Sequence, residues 1–452
     1  MQGCTTQFSG RHPGKKCDIV VGLDFGTSCT KIILRSPYQY GGRAYAVPFA
    51  EAAHDSSPHL LPSVLRLNQG HEFVIGNGGE GSLYRDIKLH LVRAKTVPPV
   101  DGQGDEIAAD VLAVAFLALG LRRARDWFLR KQKKLYDRFR LVWHLNVGLP
   151  SADYADENLT KAYRAVSEAA WLLSIANLAV TVQTATTVLR QVRSGRSPGT
   201  GDVAVEVVPE VAAEATGYAR SQRRNEGLHL LVDVGASTLD ICTFILREAK
   251  GDDCYEMLTA DVQRLGTMAL YRGRVDGVHE AVSAHVIDLW SKCDPVKPIP
   301  ESPEDYLPES KALAQHVVKA GEEYARNCRQ TLWRTIIDLK RRRDPNSPRW
   351  KDGLPTFLCG GGSAMGLYDD VISRLSSELR RFYAGTAGLD RYALPKPDEL
   401  EATVDEASYH RLAVAWGLSY PEYEIGSITR PCDIDDVPLP KETVKPEIPW
   451  ER

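Results

Sequence analysis

The stretch Ile19-Val20-Val21-Gly22-Leu23-Asp24-Phe25-Gly26-Thr27-Ser28-Cys29-Thr30-Lys31-Ile32 reads as an apolar strand, an aspartate, a turn of small residues and a second strand. The pattern returns as Leu230-Leu231-Val232-Asp233-Val234-Gly235-Ala236-Ser237-Thr238-Leu239-Asp240-Ile241. Aligned on the aspartates, Asp24/Asp233, Gly26/Gly235, Ser28/Ser237 and Ile32/Ile241 are identical. The spacing predicts a β-hairpin whose glycine-freed turn points successive backbone N–H groups at one spot. Such a nest binds phosphate oxygens, and an adjacent carboxylate can hold a hydrated Mg²⁺ against them. Two such loops facing each other would grip a polyphosphate from both sides, so the repeat predicts a nucleotide clamp.

A third element belongs with these two. Thr356-Phe357-Leu358-Cys359 reads as a short buried strand, followed by Gly360-Gly361-Gly362-Ser363-Ala364-Met365 and a helix-like stretch from Tyr368 to Leu375. Strand, glycines, helix is a way for backbone to come close to a ribose or a base. Taken alone it is an ordinary strand-to-helix turn with a glycine cap.

The three elements in this order resemble the superfamily of actin, the sugar kinases and the seventy-kilodalton heat-shock chaperones. The two hairpins are similar to its phosphate loops, and Gly361-Gly362-Ser363 to its adenosine loop. The chaperone branch fits best. Tyr84-Arg85-Asp86-Ile87-Lys88-Leu89 resembles the segment carrying that family's catalytic lysine, and Leu145-Asn146-Val147-Gly148-Leu149-Pro150 the strand before its first crossing. The segment from Val208 to Tyr218 resembles the crossing helix, and Arg264-Leu265-Gly266-Thr267 stands where a Leu-Gly-Gly follows the second hairpin. Ala413-Val414-Ala415-Trp416-Gly417 resembles the closing helix of the ATPase domain, so the likeness covers about residues 18 to 420.

The resemblance implies an α/β, two-lobed actin-like ATPase fold: duplicated mixed β-sheets, flanking helices and a nucleotide cleft between the lobes. It implies ATP hydrolysis with Mg²⁺. Asp24 and Asp233 would orient the ion's water ligands, since Mg²⁺ keeps most of its waters. Thr27, Ser28, Ala236 and Ser237 would donate to the β- and γ-phosphates, and Lys88 would stabilise charge near the γ-phosphate. Glu210, with Asp233 and Thr238, would place the attacking water. Gly26, Gly235, Asp240, Gly266, Thr267, Gly361, Gly362 and Ser363 complete the expected nucleotide contacts, with Glu323 and Arg326 on an adenine-clamping helix. Ala236 replaces a usual glycine, and Met365 stands where an arginine often stacks on adenine. Both departures predict weak affinity or slow turnover.

Composition bounds the rest. The 452 residues suffice for two or three domains or one large bilobal one, with 43% apolar and 25% charged residues. A net charge of −3 gives no global pull toward nucleic acid or membrane. The nine cysteines have no paired spacing, so Cys17, Cys29, Cys242 and Cys359 read as reduced core residues, and a cytoplasmic protein is expected. The first seventeen residues are polar and basic, unlike a signal peptide. The longest apolar run, Val111 to Leu121, is far shorter than the roughly 20 residues of a membrane span.

The chain partitions into a mobile arm (1–17), a first lobe (18–227, with an outer subdomain at 46–102) and a second lobe (228–404, with an outer helical subdomain at 269–352). A return helix (405–420) and a Pro-rich acidic tail (421–452) follow. Asp105 to Gln132 is expected as one long helix with acids in its first turn. A proline-rich loop is expected from Pro295 to Pro308. Gly76-Asn77-Gly78-Gly79-Glu80-Gly81 matches the dinucleotide fingerprint by letter only, lacking the long strand before it. The nine Lys/Arg between Arg122 and Arg140, and Arg341-Arg342-Arg343, read as solvated faces. The histidines show no HxxxH or HxH metal spacing.

The chaperones carry a client-binding domain after the ATPase, whereas here about thirty residues with six prolines follow the match, expected to stay extended. The functional expectation is therefore a nucleotide switch of the heat-shock-chaperone type acting through a separately encoded protein partner. A filament-forming, actin-like ATPase stands second, and a small-molecule kinase of the same fold third. No nucleic acid or membrane partner is expected. Trp450, in Ile448-Pro449-Trp450, is a candidate anchor for docking.

Overall fold

The first hairpin is the backbone of the first unit. The computed structural model describes residues 4–7, 15–49, 58–76, 78–93, 95–100, 102, 104–150, 154, 156–176, 178–195, 203–276, 278, 299, 302–307, 311–406 and 408–437. Strand β1 spans Cys4–Gln7, β2 Lys16–Asp24, β3 Cys29–Arg35, β4 Ala44–Ala46, β5 Leu61–Pro62, β6 Leu65–Leu67, β7 Phe73–Ile75 and β8 Ser82–Tyr84. Short β9 (Thr96–Val97) and β10 (Ile107–Ala108) precede β11 (Arg140–Leu149) and β12 (Ala204–Pro209). The chain divides into two compact units, the first taking residues through Gln222 and Pro395–Ile425.

The first unit's sheet runs β1-β11-β2-β3-β4 and ends on the short strand Leu400–Glu401, with β12 beside β11 and β5 beside β3. β2 and β3 are antiparallel, whereas β11 runs parallel to β2 and β12 parallel to β11. Continuous burial of residues 19–25 suits a central strand covered on both faces. Residues 4–7 of the expected mobile arm instead form an edge strand, with Cys4 opposite Trp143 and Gln7 opposite Arg140. Gly76–Gly81 lies between β7 and β8 of a small three-stranded sheet. A strand, β8, follows it directly in place of a helix, so the segment lacks the frame of a dinucleotide fingerprint.

Helices α1 (Ile87–Val92), α2 (Ala109–Lys131), α3 (Glu157–Ile175), α4 (Val182–Arg193) and α5 (Glu210–Ala219) complete the unit, with the closing helix Ala413–Leu418. α2 starts later than Asp105 because Ile107–Ala108 pairs with Thr96–Val97 as strand, and Asp110 supplies the acid of the first turn. Residues 111–118 are buried all round, so α2 is a core helix. The basic stretch at its end is partly structural. Arg122 donates to the carbonyls of Leu173, Ser174, Ala176 and Leu178, capping the C-terminus of α3 with a cation.

The closing helix packs on α5 with almost no space between backbones. A Cβ on Gly417 would lie 1.7 Å from the Ala213 carbonyl oxygen. Gly417→Ala is therefore expected to force the helices apart and destabilise the protein by about 3 kcal/mol. Denaturant unfolding checks this, and an unchanged midpoint would show that the closing helix retreats freely.

The second unit comprises Arg223–Val286, Pro298–Leu394 and the residues from Gly426 onward. Its strands are β13 (Gly227–Val234), β14 (Leu239–Ala249), β15 (Asp252–Gln263), β16 (Leu354–Cys359), β17 (Leu389–Tyr392) and β18 (Ser427–Thr429). They order as β17-β16-β13-β14-β15-β18. Helices α6 (Thr267–Val275), α7 (Lys311–Asp338) and α8 (Gly366–Phe382) belong to it, and α7 runs into a π-helical turn, Leu339–Arg343.

The expected extended tail is overturned through residue 437. β18 joins β15 in parallel, with Cys254 opposite Ser427 and Glu256 opposite Thr429. Arg343 is not a solvated charge. Its Nη1 donates to the carbonyls of Pro431 and Ile434, its Nε lies 3.1 Å from Asp436, and Val437 N–H donates to the Arg342 carbonyl. The tail's own carbonyls find a buried-facing guanidinium, which is why it orders despite its prolines. Trp450 lies outside the described residues, and of the expected loop from Pro295 to Pro308 the described part includes a short helix, Pro303–Tyr306.

Candidate phosphate-binding turns and a buried ion pair

In both hairpins the turn's carbonyls are occupied while N–H groups are left over. In the first, Ser63 Oγ donates to Gly26 O and Ser63 N–H to Ser28 O. In the second, Thr267, Met268 and Gly266 N–H donate to the carbonyls of Gly235, Ala236 and Ser237, and Gly235 N–H to Thr238 O. The N–H groups of Thr27, Ser28, Ala236 and Ser237 donate to no protein acceptor among the described residues. A turn whose carbonyls are taken and whose N–H groups are unclaimed leaves those groups available to an anion.

The residue across each hairpin differs. Asp24 is paired in register with Lys31, and Lys31 Nζ donates to Asp24 Oδ2 at 2.9 Å. Asp233 is paired with Asp240, whose Oδ2 accepts from Thr238 Oγ1 at 3.4 Å. Neither the repeat nor the resemblance singles out Lys31; the signal for it is the cross-strand register that the turn length dictates. Burial pulls the Lys31 ammonium toward neutrality, and Asp24 more than offsets it, leaving its pKa above the ordinary value. Burial keeps the neighbouring Cys29 a thiol, although Lys31 and Arg411 oppose that.

Lys88 and Glu210, far apart in sequence, meet. Lys88 on α1 is 8% exposed and Glu210, the first residue of α5, is 7% exposed. Lys88 Nζ donates to Glu210 Oε1 at 2.6 Å. Burial disfavours the charged Lys88, yet Glu210, Tyr163 and Asp24 outweigh it and hold its pKa above the ordinary range. Burial raises the Glu210 carboxyl, Lys88 draws it down and Asp24 adds to the rise, leaving it above the usual carboxylate range. The pair is therefore a firm cation beside a carboxyl whose affinity for a proton burial raises.

In the second unit three separate segments converge. Gly360, at φ 79°, has room for no side chain, since its Cβ would lie 2.0 Å from Asp233 Oδ1. A Cβ on Gly362 would meet Thr267 Cγ2 at 2.5 Å, so Gly360–Ser363 packs against the turn and the start of α6. Ser363 spends its hydroxyl on Gly360 O at 2.7 Å, and Met365 is buried rather than presented. α6 and α7 line a groove of about 390 Å³ with Leu265, Ala269, Gly273, His316, Lys319, Ala320, Glu323, Tyr324 and Asn327. Glu323 thus lines a groove beside Gly266 and Thr267, and Arg326 is not among its lining residues.

Compared with models of known protein families and with curated proteins, the chain matches none. What the site can do rests on its own geometry. Cys17, Cys29, Cys242 and Cys359 are buried free thiols. Among the described residues, no cluster of three or more His, Cys, Asp or Glu could hold a metal ion by itself, and no helix is long and apolar enough to cross a membrane. Asp24 suits a hydrated magnesium ion on other grounds. It is a hard oxygen donor whose Oδ2 already accepts a cation, the Lys31 ammonium.

Proposed function

We propose that the chain binds ATP with Mg²⁺ and hydrolyses it slowly, as a nucleotide switch of the heat-shock-chaperone type acting through a separate protein partner. The observation that carries this reading is the pair of turns, each with pinned carbonyls, unclaimed N–H groups and an aspartate at the end of the preceding strand. A two-lobed actin-like arrangement is part of the same proposal.

In this reading Thr27, Ser28, Ala236 and Ser237 donate backbone N–H groups to phosphate oxygens. Asp24 and Asp233 would hold Mg²⁺ through water, and the ion supplies charge neutralisation on the phosphates. Lys88, kept protonated by Glu210, stabilises negative charge on the departing phosphates. Glu210 orients a water through its second oxygen, and its raised pKa suits accepting that water's proton. The α6–α7 groove beside Gly266 and Thr267 is a pocket for the nucleoside, with Glu323 as a polar contact.

Calorimetry of the full chain with ATP and magnesium tests the proposal. Binding is expected, and Asp233→Ala is expected to lower phosphate release by about 100-fold or more with the fold intact. No heat of binding at millimolar ATP would overturn it.

A further inference from the structure

Asp24 is 6% exposed and presents its Oδ2 to the Lys31 ammonium at 2.9 Å. A buried carboxylate is a strong cation site with room for one tenant, because two cations at one carboxylate repel across a poorly screened distance. Lys31 Nζ also lies over the turn, 3.5 Å from where a Cβ on Gly26 would be. Its ammonium is thus beside the turn whose Thr27 and Ser28 N–H groups are unclaimed. The second hairpin has no counterpart, since Asp240 occupies the position opposite Asp233. Of the two hairpins, only the first is self-neutralised by a lysine.

We propose that Lys31 and a divalent cation compete for the Asp24 carboxylate, and that cation capture frees the Lys31 ammonium for the anion held by the Gly26–Ser28 turn. The second half rests on the nucleotide reading; the competition itself does not. Lys31 keeps the empty first hairpin charge-balanced, and it joins the anion only once the metal has arrived. An ion pair that merely braced the hairpin would do neither.

The test measures Mn²⁺ binding to the full chain without nucleotide, for wild type, Lys31→Gln and Lys31→Arg. Losing a charge-assisted bond to the same carboxylate should tighten Mn²⁺ about tenfold in Lys31→Gln. Arginine holds a carboxylate through two donors, so Lys31→Arg should weaken Mn²⁺ relative to wild type. Adding Asp24→Asn should erase these differences. Mg·ATP should bind Lys31→Gln about tenfold more weakly than wild type, opposite in sign to the metal alone, because a charged donor to phosphate is gone. Equal Mn²⁺ affinities in all three chains would overturn the competition, and unchanged Mg·ATP affinity in Lys31→Gln would overturn the release. Should Lys31→Gln fail to fold, the Lys31→Arg comparison decides alone. Failure of the nucleotide reading is distinguishable: wild type would bind no Mg·ATP while the Mn²⁺ series kept its order.

Discussion

Lys88→Met is expected to lower ATP turnover by about 100- to 1000-fold, the range for losing one preorganised donor to developing charge. The same change should destabilise the fold, because it strips the partner from a carboxyl that is nine-tenths buried. Breaking a buried pair costs about 3–5 kcal/mol. The low end is expected here, since burial already raises the Glu210 carboxyl and the orphaned group can take up a proton. Lys88 keeps its charge well past neutrality. Its folded pKa is raised, so the stability it contributes is fully present below the unfolded value and is lost only as pH rises through the folded one. The loss in Lys88→Met should therefore be insensitive to pH around neutrality on the lysine's account.

The double variant Lys88→Met/Glu210→Gln separates the two effects. Removing both charges leaves no uncompensated ion, so most of the lost stability should return, to within about 1 kcal/mol. Turnover should not return. Phosphate release and denaturant unfolding on the same preparations check both halves. Wild-type turnover in either variant would remove Lys88 from the chemistry. A single variant as stable as wild type would mean that the pair is solvated.

The hairpins were legible because their logic is local. An aspartate ending an apolar strand, glycine in the turn and alternation afterwards dictate register without any tertiary information. Glycines at 360 and 362 are expected in sequence as backbone close to a ribose or a base, and within the chain they lie close to Asp233, Val234 and Thr267. What sequence could not show is which charges meet. Lys88 and Glu210 carry separate roles in the sequence reading, and only the fold makes them one buried pair. Lys31 is one residue of the quoted hairpin stretch, and only its register opposite Asp24 makes it that carboxylate's partner. The tail misled for a physical reason. Its prolines and acids argue for an extended chain, but three residues, Ser427–Thr429, suffice to pair with β15, and Arg343 satisfies the carbonyls that follow. Composition measures the average of a segment, and a few well-placed acceptors can override it.

Acid sensitivity of the second unit is expected to centre on His229. The ring is fully buried in β13, stacked on Phe244 at 5.2 Å and Phe357 at 6.0 Å, with Nδ1 2.8 Å from the Gly227 carbonyl. Burial pushes its pKa down to about 4 from an ordinary 6.5; the Gly227 bond opposes this and the Arg349 charge assists it. The imidazole is thus neutral when folded, with Nδ1–H donating to the carbonyl. A depressed folded pKa means that the unfolded chain binds the proton first. The stability contribution is present above pH 6.5 and is lost progressively as pH falls toward 4. Between those values the loss amounts to about 3 kcal/mol. His229→Phe keeps the aromatic stack and removes the titration, leaving one carbonyl without its donor, which costs about 1 kcal/mol or more at any pH. The variant should therefore be the less stable protein at pH 7 and the more stable one at pH 4. Denaturant midpoints at the two pH values provide the comparison, and the crossing of their order is the decisive feature. Other carboxylates titrate equally in both proteins and cancel. Parallel losses in wild type and variant would show that His229 is protonated in the folded chain, which a ring sealed between two phenylalanines does not allow.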